Sequence, residues 1–200
     1  MRAVFVATSL VVLVSTAAVA QEILQSMSTG SGRTVCGSCS APAELTSKAQ
    51  LASSGEPGQR IRISGVVYMP NGTTPAAGVT LFLYQTDASG HYNLADDPFQ
   101  PRLRGWLRTD SAGNYEIETI KPGAYPRHTE PAHIHVQTFS PSIDEWFNDD
   151  FWFEDDSLLT RSQREAAEKT GKFSNIVKLS IAGGGVMGAR RDVRIHLRAR

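Results

Sequence analysis

From Arg60 onward, apolar and polar residues alternate in short runs, broken by Gly, Pro, Asn and Asp. Alternation with a period of two marks half-buried strands. Ile61-Arg62-Ile63-Ser64-Gly65-Val66-Val67-Tyr68 reads as one strand and Gly78-Val79-Thr80-Leu81-Phe82-Leu83-Tyr84 as a second, with Met69-Pro70-Asn71-Gly72 as a turn after the first. Leu107-Arg108-Thr109 and Asn114-Tyr115-Glu116-Ile117 flank the turn Asp110-Ser111-Ala112-Gly113. Ala132 to Thr138 is a further strand. Ile176–Ile181 and Asp192–Leu197 complete the set, joined by Gly183-Gly184-Gly185. The pattern predicts an all-β fold, an antiparallel β-sandwich with long loops. One short surface helix is expected over Ser162–Lys169, where Ser162 and Glu165 stand at capping-box spacing. The connection from Asp87 to Trp106 is too long for a hairpin, and loops of that length in compact domains usually carry function. Trp146–Asp156 reads as an irregular aromatic and acidic segment, a cap over one end of the sandwich or a substrate contact.

Before Arg60 the pattern differs. Arg2, the apolar run Val4–Val14 and the small residues ending Ala18-Val19-Ala20 have the form of a cleavable secretory signal over residues 1–20. The apolar run is too short to span a bilayer comfortably, and no other segment could. A secreted or periplasmic chain starting near Gln21 is expected. Residues 21–58 are rich in Ser, Thr, Gly and Ala and read as a flexible arm, with Ala43–Leu51 compatible with a short helix. Residues 59–200 form the expected domain. Cys36 and Cys39 are the two cysteines. In an oxidising compartment a local disulfide suits them better than a redox motif or a zinc half-site lacking its second pair. With 20 basic and 20 acidic residues in 200, nothing points to nucleic acid.

The chemistry concentrates at Tyr125 to Val136. His133 and His135, two apart on a strand, share one face, while Ile134 and Val136 fill the other. Two imidazoles on one face can reach a single metal ion, and Tyr125 lies a short loop upstream. Imidazole suits iron, copper, zinc or nickel; a phenolate favours a ferric ion. The competing reading is an ordinary polar strand face.

Several motifs recur in a recognisable order: Gly65-Val66-Val67, Gly78-Val79-Thr80-Leu81, Ser89-Gly90-His91-Tyr92, Arg108 to Tyr115, Thr119 to Pro126, and Pro131-Ala132-His133-Ile134-His135. In that order they resemble the intradiol ring-cleavage dioxygenases, the family of the catechol and protocatechuate dioxygenases. The resemblance covers roughly residues 57 to 155. It implies a non-haem Fe(III) site with Tyr92, Tyr125, His133 and His135 as ligands, Tyr92 and His133 equatorial, Tyr125 and His135 axial. It implies a catecholic substrate and O2, with Tyr125 acting also as an internal base. Homo-oligomers are common among such relatives. Tyr68 and Tyr115 are read as packing residues, and His91, His128 and His196 match no position of the family.

This sequence also departs from the family. Glu130 stands three residues before His133, where an arginine is usual. Arg127 is the candidate replacement, with Arg104 a weaker one. The loop from Tyr125 to His133 is short, and Asp150 stands where a glutamine is common. The strand and turn patterns by themselves also suit a non-catalytic, prealbumin-like binding module, because they belong to the fold rather than to a reaction.

Overall fold

Because alternate side chains point to opposite faces, a strand with one apolar set must bury that set against another layer. A computed structural model shows how this chain does so and describes residues 35–93, 99–127 and 130–197. The expected leader (1–20), the first part of the arm (21–34) and His128 lie outside the described residues. In chain order the strands are β1 (Lys48–Gln50), β2 (Arg60–Tyr68), β3 (Thr80–Gln85), β4 (Leu103–Arg108), β5 (Asn114–Ile120) and β6 (His133–Ser140). They continue with β7 (Ile143–Phe147), β8 (Phe151–Phe153), β9 (Ile176–Val177), β10 (Ser180–Gly183), β11 (Val186–Arg190) and β12 (Val193–Arg194), with helix α1 (Arg161–Glu168) between β8 and β9.

One sheet runs β1-β5-β2-β11-β10, with β12 also on β2; the other runs β4-β3-β6-β8-β9, with β7 also on β6. Ile61, Ile63, Val67 and Ile117 of the first sheet form one buried cluster with Leu81, Leu83, Leu107, Ile134, Val136, Phe151 and Phe153 of the second. The all-β fold of two sheets and one short helix is therefore as expected. The all-antiparallel pairing is not: β1–β5, β2–β11, β2–β12 and β8–β9 are parallel. The last pair shows the reason. β8 and β9 are joined through α1, and a crossover of that length returns the chain in the same direction.

Other differences follow from packing. The described part of the arm, residues 35–58, is extended but held. β1 pairs with β5, Leu51 and Ala52 are buried, and Lys48 bonds Glu116 at 3.1 Å, so the helix entertained over Ala43–Leu51 gives way to an edge strand. Cys36 and Cys39 form a disulfide. Its loop is fastened by Gly37 N–H to Glu145 Oε1 (2.6 Å) and by Trp106 Nε1–H to the Gly37 carbonyl (2.7 Å). This loop packs on Phe82, and the rings of Tyr92 and His135 lie on Tyr84, so the outer side of β3 is covered too and every residue of the strand is buried. The segment 146–156 is not merely a cap: Phe151 and Phe153 lie on a core strand, fully buried. The strand read over 176–181 is split between the sheets, its start pairing with β8 as β9 and its end lying in β10; the triple glycine joins β10 not to the strand read over 192–197, which shortens to β12, but to the intervening β11. The capping box of α1 uses Thr160 and Gln163, two residues before the expected pair.

Candidate metal centre

β6 presents His133 and His135 on its outer face, while Ile134 and Val136 enter the core. Tyr92 and Tyr125 arrive from two loops. Asp87 organises the first: its carbonyl accepts from Gly90 N–H (3.1 Å) and its Oδ1 from His91 N–H (3.1 Å). The Asp87 carbonyl also accepts from Gly123 N–H of the second loop (2.8 Å), and Thr86 Oγ1 donates to the Gly123 carbonyl (2.7 Å). The two tyrosine-bearing loops are thus zipped backbone to backbone. Gly90 makes this possible: it has φ +89°, and a Cβ there would stand 2.0 Å from the Ala124 carbonyl oxygen.

The four side-chain tips converge. Tyr92 Oη lies 2.5 Å from Tyr125 Oη and 2.8 Å from His135 Nε2. Tyr125 Oη lies 3.1 Å from His133 Nε2 and 3.2 Å from His135 Nε2, and the two Nε2 atoms are 3.1 Å apart. All four residues read from the sequence as ligands are therefore brought to one point.

The proton inventory shows what the cluster suits. His133 Nδ1 faces the Pro131 carbonyl at 2.7 Å and His135 Nδ1 faces the Asp150 carboxylate at 3.1 Å, both acceptors. Each Nδ1 therefore carries a proton, and in the neutral tautomer this selects, each Nε2 points a lone pair inward. Five close contacts then share the two phenol protons, so three of the five hold lone pair against lone pair. Such an excess of converging donors is what a cation relieves. Two imidazoles and two phenolic oxygens suit a hard trivalent ion such as Fe(III).

Electrostatics agree. Burial, aided by the hydrogen bond with Tyr125, pushes the Tyr92 phenol far above its ordinary value. Burial, then neighbouring His135, holds the His133 imidazole below its own. Both shifts favour the uncharged forms of Tyr92 and His133, and a bound metal ion is what would draw the Tyr92 proton off.

His133, His135 and Asp150 also offer metal-ligating atoms within 4.8 Å of one another. Asp150, however, sits against the Nδ1 side of His135, away from the converging Nε2 atoms, and is better described as the partner of that histidine. This role was not read from the sequence. Nor was that of Tyr84, whose ring stacks on His135 at 4.5 Å and 28°. Strand alternation could have found Tyr84, since it faces outward with Phe82 and pairs in register with His135.

Arg127 is exposed in the bend after Tyr125, and Glu130 is exposed before β6. No described hydrogen bond or ion pair joins Arg127 to the four donors. Arg104 is turned elsewhere, with Nη1 on the Pro101 carbonyl and its guanidinium toward Trp106. Tyr115 is the packing residue expected, its hydroxyl donating to the Arg191 carbonyl at 2.6 Å. Tyr68 packs edge-on against Phe173, and His196 faces Asp149 at 3.2 Å. Among the described residues no helix is long and apolar enough to cross a membrane.

Comparison with known proteins places these features. The family model described as Dioxygenase matches residues 38–172. The chain is 35% identical over 117 residues to the protocatechuate 3,4-dioxygenase beta chain of Burkholderia cepacia, covering 52% of this chain and 49% of that protein. It is 32% identical over 85 residues to a catechol 1,2-dioxygenase of Candida albicans, covering 34% and 28%. The matched stretch thus spans about half or less of these curated relatives. Among solved structures, the dioxygenase domain of a dioxygenase–carbohydrate-binding protein fusion from Streptomyces sp. SirexAA-E shares the fold with a TM-score of 0.57, 23% identity, and coverage of 79% of this chain and 93% of that one. The 3-chlorocatechol 1,2-dioxygenase of Rhodococcus opacus 1CP aligns with a TM-score of 0.56, 18% identity, and coverage of 86% and 76%. These matches favour an enzyme family over the non-catalytic module. The chain belongs to the intradiol ring-cleavage dioxygenase family.

Proposed function

We propose that this chain is a non-haem Fe(III) dioxygenase that opens a catecholic ring between its two hydroxylated carbons, using O2 and yielding a muconate-type diacid. Tyr92, Tyr125, His133 and His135 hold the iron. One observation carries the reading: four donor atoms meet at 2.5–3.2 Å with too few protons to satisfy them. When bound, a ferric ion supplies Lewis acidity that acidifies the catechol hydroxyls and draws electron density from the ring.

The side chains divide the remaining work. Tyr92 is buried and bonded to His135, which suits a permanent donor. Tyr125 is only half-buried, on a short loop, and its Oη can take a proton from an arriving catechol hydroxyl. A phenolate that serves first as ligand and then as base is a task neither imidazole could share, since each is fixed through Nδ1. Arg127, two residues on and exposed, supplies positive charge near the site for the catecholate, opposing Glu130. The leader sequence further suggests export, and a homo-oligomer is in keeping with the resemblance. N-terminal sequencing of the secreted product and light scattering test these two points.

The test of the reaction is incubation of iron-loaded protein with catechol under 18O2. Both labelled atoms are expected in one acyclic diacid. Label in only one position, or a quinone as the sole product, would contradict it.

A further inference from the structure

The two histidines of the site are held in different ways, and the difference points to Asp150. His133 Nδ1 donates to the backbone carbonyl of Pro131, a neutral partner that any sequence would supply. His135 Nδ1 donates to a side-chain carboxylate. The ladder places it there: β6 and β8 pair His133 with Trp152 and Ile134 with Phe151, so the same register carried one step further sets Asp150 opposite His135. The connection bearing Asp150 is pinned on both sides. Asn148 N–H donates to the Val136 carbonyl at 2.9 Å, and Asn175 Nδ2 donates to the Asp150 carbonyl at 3.1 Å. On the other side of the strand, the Tyr84 ring stacks on the imidazole at 4.5 Å.

We infer that Asp150 is a positioning residue that fixes the tautomer and orientation of His135 and makes it the stronger of the two imidazole donors; this rests on the ferric reading above. A carboxylate behind an imidazole raises its basicity and locks the Nδ1–H form, leaving Nε2 free for the metal. Its charge matters as well. Fe(III) held by two phenolates would carry one net positive charge, which the Asp150 carboxylate, 3.1 Å from His135 Nδ1, would offset. The site therefore favours the trivalent over the divalent ion more strongly than its four ligands alone would.

The test compares the wild-type chain with Asp150→Asn, Asp150→Ala and Asp150→Glu. Ferric affinity is read by competition with a chelator, the Fe(III)/Fe(II) midpoint potential by spectroelectrochemistry, and the fold by thermal unfolding of the metal-free proteins. Asn keeps the acceptor but loses the charge, so its potential should rise while affinity falls about 10-fold; Ala loses both, and a fall of roughly 10- to 100-fold is expected. Glu restores the charge and should recover part of both readouts, a rescue that a merely structural role would not give. Wild-type affinity and potential in Asp150→Asn and Asp150→Ala would overturn the assignment of Asp150 alone. A wild-type chain that takes up no iron would overturn the reading beneath it. If Asp150→Ala does not fold, the Asn and Glu pair decides the matter.

Discussion

Replacing Gly90 by alanine tests how the two tyrosine loops are held together. Gly90 has φ +89°, and an added Cβ would lie 2.0 Å from the Ala124 carbonyl oxygen, one residue before Tyr125. A comfortable carbon–oxygen contact is about 3.3 Å, so the loops must part by more than about 1 Å. Backbone strain contributes roughly 1 kcal/mol and the overlap about 1–3 kcal/mol, giving an expected loss of about 2–4 kcal/mol. The control is Gly171→Ala, since Gly171 also has positive φ (+59°) but nothing within 4 Å of its would-be Cβ. It carries the strain without the overlap and should cost roughly 1 kcal/mol. Urea unfolding of the metal-free proteins gives the two values, and chelator competition gives iron retention. Tyr92 and Tyr125 oxygens now stand 2.5 Å apart. A displacement above 1 Å should lower the iron affinity of Gly90→Ala by more than about 10-fold, and leave Gly171→Ala unchanged. Equal stability losses in the two variants, with wild-type iron binding in both, would refute this account of the loops.

Three further outcomes are expected. Burial and His135 hold His133 below its ordinary pKa, so in the metal-free protein it stays neutral while the unfolded chain takes up a proton. Stability should therefore fall as pH drops below about 6.5, by up to ~1.4 kcal/mol per pH unit from this group. Urea midpoints between pH 7.5 and 5.5 should show a shallower slope for His133→Gln, and an identical slope would remove His133 as the cause. Arg127→Ala should raise the KM for catechol several-fold with little change in kcat, and an unchanged KM would take Arg127 out of the site. Tyr115→Phe leaves the buried Arg191 carbonyl without its 2.6 Å donor, so it should cost about 1–2 kcal/mol by urea unfolding while iron uptake stays at the wild-type level; lost iron uptake would contradict the separation of core from site.

Particular residues show how far the sequence could be read. His133 and His135 were legible because strand alternation is a strict rule, and Ile134 and Val136 confirmed which face was which. Tyr125 followed from proximity along the chain. Tyr92 did not: it stands 41 residues before His133, and only the resemblance singled it out before the structure brought it to the cluster. The parallel pairings were invisible because direction depends on connections, not on the strands' own alternation. β1 was missed for a related reason: Lys48-Ala49-Gln50 has no strand pattern and takes its conformation from β5. Asp150 looked like a departure from the family, and its position opposite His135 needed the β6–β8 register, which a sequence does not state.

The most direct test is the visible absorption spectrum of the purified protein reconstituted with ferric iron, with metal analysis on the same sample and an anaerobic catechol titration. The account predicts one iron per chain, a red-brown colour from tyrosinate-to-Fe(III) charge transfer, and a shift of that band on adding catechol. Tyr92→Phe and Tyr125→Phe should each weaken it. A protein that stays colourless with iron bound, or takes up none, would contradict the tyrosinate–ferric centre.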